Sequence, residues 1–165
     1  FGSMVLSPST GIILNNDMDN FSSSNITNSF GIPSSGKNRI KPGRRPFSSM
    51  SPVIVTDSNG DVKLTLGGSG GLKITTCMAQ TLIRTLWLNE DIKKAIDAPR
   101  FHHQLLPNVI EYEKLFPGDL LDDLKEKGHQ LKFSLDSGII MGILKDKGIL
   151  CANSDFRKGG EVDGF

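Results

Sequence analysis

The stretch Gly67-Gly68-Ser69-Gly70-Gly71 puts four glycines between two runs of regular hydrophobic pattern. Before it Val62, Leu64 and Leu66 alternate with polar residues, the period of a half-buried strand; after it Ile74, Met78, Leu82, Thr85 and Leu86 recur at helical spacing. The pattern predicts a strand, a glycine loop and a helix. Glycine lets the backbone take positive φ and approach a ligand closely, and the first N–H groups of a helix have no partner inside it. An anion or a developing oxyanion fits such a place. A tight connection whose glycines serve packing alone fits the same residues. The stretch does not match G-x-x-x-x-G-K-[ST], and G-x-G-x-x-G is absent, so nucleotide phosphate is disfavoured.

Three other clusters carry polar chemistry. Asn15-Asn16-Asp17-Met18-Asp19-Asn20-Phe21 is either a polar turn, since Asn and Asp side chains bond nearby backbone, or a set of acceptors for an ammonium group. The adjacent hydroxyls of Ser48 and Ser49, at the entrance to a strand, either bond the local backbone or donate to a carboxylate. His102 and His103 invite a metal, yet neighbours on a strand face opposite ways and His129 is remote in sequence, so no metal site is expected.

The elements that must position these groups follow from pattern. Gly11–Leu14 is apolar and long enough for one buried strand. Residues 22–45, rich in Ser, Asn, Gly and Pro, read as a long loop, of the kind that serves as a lid or binding segment. Val53–Val55 is a β-branched strand, turned by Asp57-Ser58-Asn59-Gly60 into the strand at Val62. Helices are expected at 72–88, 90–96 and 117–127, with Trp87 in the core, and strands at 130–133, 139–145 and 148–152. The sum is an α/β (α+β) chain.

At 165 residues the chain can bury one core, and 37% hydrophobic content suggests polar loops or a missing partner surface. A net charge of +1 shows no basic excess; the run Lys37, Arg39, Lys41, Arg44 and Arg45 lacks interleaved aromatics, so no nucleic-acid partner is expected. Cys77 and Cys151 form no Cys-x-x-Cys pair and say little of redox compartment. No apolar run approaches the roughly 20 residues that span a bilayer, so any membrane tether is expected outside this chain. Asn20 and Asn25 each begin a glycosylation sequon.

Taken together and in order, the Asn15–Phe21 cluster, Pro46-Phe47-Ser48-Ser49-Met50-Ser51-Pro52, the glycine loop, Pro99-Arg100-Phe101-His102-His103-Gln104 and Ser154-Asp155-Phe156-Arg157-Lys158-Gly159-Gly160 resemble the γ-glutamyltranspeptidases, also called glutathione hydrolases. The resemblance covers essentially the whole chain and most of that family's small catalytic subunit. It implies a partial N-terminal nucleophile hydrolase fold with stacked αββα layers. It also implies cleavage of γ-glutamyl amides, such as glutathione, through a γ-glutamyl-enzyme that passes its acyl group to water or to an acceptor amino acid or peptide, with no cofactor. Gly70 and Gly71 match the positions whose N–H groups stabilise the oxyanion, Ser48 and Ser49 those that bind the α-carboxylate, and Asp17 and Asn20 those that hold the α-amino group.

Two positions depart from that pattern. The family usually has Glu or Gln where this chain has Asp17, and an acid where it has Asn20. Weaker glutamyl binding without a change of reaction class is expected. The attacking threonine is expected just upstream of Phe1, and the arginine that clamps the substrate carboxylate in the large subunit, so this chain alone is expected to be inactive. By the same resemblance its partner is that large subunit, and its place is the extracellular face of the plasma membrane or the secreted fraction. The alternative is a non-catalytic light-chain-like module that binds γ-glutamyl compounds or a partner subunit without turnover.

Overall fold

The computed structural model describes residues 2–28 and 31–164, so Phe1 and the expectation attached to it lie outside the described residues. The chain divides into two compact units, Phe1–Ser48 and Ser49–Phe165.

Among its described residues the first unit has two 3-10 turns, Asp17–Asn20 and Gly36–Asn38, and isolated bridges joining Leu6 to Ile13 and Ser22 to Arg39. The buried strand expected at Gly11–Leu14 is not formed: Ile12 and Ile13 are 58% and 53% exposed, and the run is held among the described residues by the Leu6–Ile13 bridge and backbone hydrogen bonds to Ser3, Val5 and Ser7. Within the described part of this unit no regular strand or α-helix covers the face of the run.

The second unit is α+β, as its pattern predicted. Strands β1 (Val53–Thr56), β2 (Val62–Ser69), β6 (Ile139–Asp146) and β7 (Ile149–Asn153) form an antiparallel sheet in the order β1-β2-β6-β7. A smaller mixed sheet holds β3 (Phe101–His102), β4 (Ile110–Tyr112) and β5 (Leu131–Phe133). Helices α1 (Lys73–Leu86), α2 (Ile92–Asp97) and α3 (Gly118–Glu126) complete it. Asp91 caps α2, its side chain accepting from the Lys94 amide, because the first N–H groups of a helix need an outside acceptor.

Alternation along the strands decides where the core sits. Leu64 and Leu66 of β2 and Ile140 and Leu144 of β6 point to one face, where Ile74, Cys77 and Met78 of α1 and Ile92 and Ile96 of α2 close over them. Helices on one sheet face give half of an αββα stack. Across the other face Ile54, Thr65, Ile143 and Ala152 stand opposite one another on the four strands, and Ile54 is 70% exposed.

Trp87 leaves the core expectation behind: it is 69% exposed. It follows Thr85, a buried residue of α1, by two positions, and two steps of 100° carry a side chain to the opposite side of a helix.

Candidate functional site

The alternation of Val62, Leu64 and Leu66 continues further than expected, so Gly67 and Gly68 lie within β2, paired with Met141 and Ile140. A Cβ at Gly68 would come within 2.7 Å of both the Ile139 carbonyl oxygen and Ile140 Cδ1, so this glycine serves close strand packing. The loop proper is Gly70-Gly71-Leu72, and both glycines have positive φ, 124° and 58°.

That conformation turns the chain from β2 into α1 within three residues. The Lys73 amide donates to the Gly70 carbonyl and the Ile74 amide to the Gly71 carbonyl, each at 3.2 Å. Among the described residues neither the Gly70 nor the Gly71 amide itself donates to a protein acceptor. Two adjacent N–H groups ahead of a 14-residue helix form a place that favours negative charge on a ligand.

The charge next door does not supply that preference. The Lys73 ammonium lies 2.8 Å from Glu111 Oε2 and 3.2 Å from Asp136 Oδ2, and it donates to the Asp136 carbonyl at 2.5 Å. Burial works to lower the Lys73 pKa, but the hydrogen bonds to Glu111 and then Asp136 outweigh it and raise it. Hydrogen bonds from Lys132 first and Lys73 second pull the Glu111 carboxyl down to about 2. The lysine is therefore neutralised in place, and the amide dipoles carry the local preference for an anion.

Behind the loop sits a buried ionic hub. Gly70 rests on Gly138: a Cβ at Gly70 would lie 2.7 Å from Gly138 Cα. The Gly138 carbonyl accepts from Arg100 Nη1 at 2.7 Å, and Arg100 Nη2 pairs with Asp155 Oδ2 at 2.7 Å. Asp155, 0% exposed, also accepts from the Ile140 amide and from the amide and Nη1 of Arg157, while Arg157 pairs with Glu113. Burial pushes the Asp155 pKa up, and Arg100, the Ile140 amide and Arg157 more than reverse this, holding it below the usual carboxylate range. A cavity of about 20 Å³ beside Lys73, Arg100 and Glu111 has room for about one water and none for a substrate.

Arg100, Asp155 and Arg157 stand inside the sequence motifs, where nothing local marks their role. Arg100 and Asp155 stand 55 positions apart, so only the topology joins them. The available signal was a charged residue on each side of Phe156, followed by two glycines.

The other site residues are distributed between the units: Asp17, Asn20 and Ser48 belong to the first, Ser49, Gly70 and Gly71 to the second. In the first, the Asp17–Asn20 turn brings two candidates together, Asn20 Nδ2 donating to Asp17 Oδ1 at 3.0 Å. Ser48 is exposed and Ser49 half-buried, and the Ser49 carbonyl accepts from Ser51 Oγ at 2.9 Å. The two adjacent histidines diverge. His102 is buried and shares hydrogen bonds with Thr76 Oγ1 and Gln104 Oε1 through its two ring nitrogens, and His103 shares one with Asn108.

A sequence model of one family, Gamma-glutamyltranspeptidase, matches residues 1–165. Scoloptoxin SSD20 of Scolopendra dehaani is 51% identical, the match covering 100% of this chain and 85% of that protein. Glutathione hydrolase proenzyme 1 of Schizosaccharomyces pombe is 40% identical over 96% of this chain, which spans only 25% of that proenzyme. Among solved structures, a γ-glutamyltranspeptidase from Pseudomonas nitroreducens complexed with L-DON superposes with a TM-score of 0.86 and 40% identity, over 100% of this chain and 86% of that one. With the family match running along its whole length, the chain belongs to the γ-glutamyltranspeptidase family.

Proposed function

We propose that the complete protein of which this chain is part cleaves γ-glutamyl amides, glutathione among them, and passes the glutamyl group to water or to an acceptor amine. The observation that carries this reading is the pair of unengaged amides at Gly70 and Gly71, set by positive φ ahead of α1; these are the positions to which the resemblance assigns the oxyanion. In this reading they receive the carbonyl oxygen as it gains charge during acylation and again during deacylation. Ser48 and Ser49 donate to the α-carboxylate, and Asp17 and Asn20 accept from the α-ammonium. The hydroxyl nucleophile and a carboxylate-clamping arginine come from the rest of the protein, with a large subunit as the partner. Its second sheet would cover the apolar face around Ile54 and Ile143, completing the αββα stack. We place the protein outside the cell, secreted or at the cell surface; no helix of the described residues is long and apolar enough to cross a membrane.

The test is turnover of γ-glutamyl-p-nitroanilide by the complete protein, read as p-nitroaniline release and its acceleration by an acceptor dipeptide. No release under either condition overturns the reading in favour of a non-catalytic module. The same assay examines the departure at Asn20. A hydrogen bond to a charged acceptor is worth about 1 kcal/mol more than one to a neutral acceptor. Asn20→Asp gives up the hydrogen bond to Asp17 and sets two carboxylates together, a repulsion that a bound ammonium relieves, and is therefore expected to lower KM by roughly fivefold with kcat little changed. An unchanged KM would remove Asn20 from the ammonium site.

A further inference from the structure

The first unit contains a polar side chain that bridges two of its segments. Asn38 closes the Gly36–Asn38 turn and uses both ends of its amide on separate segments. Its Nδ2 donates to the Asn20 carbonyl at 2.8 Å and to Ser22 Oγ at 3.3 Å. Its Oδ1 accepts from the Phe47 amide at 2.9 Å, and its own carbonyl accepts from the Ser22 amide at 3.0 Å. One side chain thus ties the end of the Asp17–Asn20 turn to the residue immediately before Ser48. Few other restraints do this work, because the described part of the unit has no sheet or α-helix.

We propose that Asn38 is a positioning residue that fixes the spacing between the ammonium-binding turn at Asp17–Asn20 and the carboxylate-binding hydroxyl at Ser48. The proposal rests on the substrate assignment above and deepens it. A γ-glutamyl group carries its ammonium and carboxylate on the same carbon, so both are satisfied together only when acceptor and donor are held a fixed distance apart. Asn38 touches neither group. It acts through the Asn20 carbonyl and the Phe47 amide. The uncharged Asn38 amide supplies a donor and an acceptor at once: aspartate in its place sets a carboxylate oxygen against the Asn20 carbonyl and loses the donor.

The experiment compares three amides of p-nitroaniline in the complete protein: γ-glutamyl, glutaryl, which lacks the ammonium, and 4-aminobutyryl, which lacks the carboxylate. Asn38→Ala and Asn38→Asp are expected to raise KM for the γ-glutamyl compound at least tenfold with kcat within about threefold. For the two single-handle compounds kcat/KM is expected to stay within about twofold, because spacing is irrelevant when one handle is missing. Equal losses on all three substrates, or none on any, overturn the proposal. Failure of both variants to yield soluble, processed protein when Ser22→Ala does so also overturns it, assigning Asn38 to folding. If the unsubstituted protein turns over none of the three, it is the substrate assignment that fails.

Discussion

Replacing Gly70 by alanine in the complete protein is expected to lower kcat for a γ-glutamyl amide by about 10²- to 10³-fold, the usual loss when one oxyanion donor is misplaced. Two independent constraints meet at this residue. Its φ of 124° lies where side-chain-bearing residues rarely go, and an added Cβ would stand 2.7 Å from Gly138 Cα, which is backbone and has no rotamer through which to retreat. The loop must shift, and the Gly70 and Gly71 amides shift with it. Gly71, at φ 58°, is in the left-handed region where alanine costs about 1 to 2 kcal/mol, so Gly71→Ala is expected to be the milder change. Gly118, with open space around its Cα at the start of α3, serves as the control, and Gly118→Ala is expected to leave kcat unchanged. Steady-state kinetics on the three variants checks the order. Full activity in Gly70→Ala would show that these amides do not meet the reacting carbonyl.

Asp155→Ala is expected to destabilise the second unit by about 3 to 5 kcal/mol, because it strands the Arg100 guanidinium in a buried position without its carboxylate. For a unit of this size that corresponds to a fall of roughly 12 to 20 °C in unfolding temperature. Asp155→Asn keeps an acceptor for Arg100 and is expected to lose less. The sign of the pH dependence follows from the lowered folded-state pKa. The carboxylate's contribution is complete above the unfolded value of about 3.9 and is lost as pH falls through the lower folded value. The stability gap between wild type and Asp155→Asn is therefore expected to be constant from about pH 5 to 8 and to narrow below about pH 4. Thermal unfolding of both proteins across that range checks it; a gap that widens in acid would mean the carboxylate is not held by its cations.

These two expectations mark how far the sequence could be read. The strand, glycine turn and first helix were legible because each rests on short-range signals: alternation at Val62, Leu64 and Leu66, positive-φ glycines, and a helical stripe from Ile74 to Leu86. The exposed Trp87 was misread because a large aromatic suggests burial by type, whereas its angular position on the helix decides otherwise. The strand at Ile110–Tyr112 went unseen since three residues carry no period. The Arg100–Asp155 pair and the Asn38 clamp were illegible for a common reason. Each joins segments whose meeting depends on the completed topology, and a single polar residue in a polar loop has no local pattern that names its partner. The glycine loop, the Asn15–Phe21 cluster and the serine pair stood out by residue chemistry, motif resemblance assigned their roles, and the fold supplied the physical reasons for their settings.

The most direct test of the central claim is a crystal structure of the complete protein with glutamate, the hydrolysis product, bound. The account predicts a γ-carboxylate oxygen within about 3 Å of the Gly70 and Gly71 amide nitrogens, the α-carboxylate on the Ser48 and Ser49 hydroxyls, and the ammonium at Asp17 and Asn20. Glutamate bound away from the two glycine amides, or with its α-carboxylate on them, would contradict it.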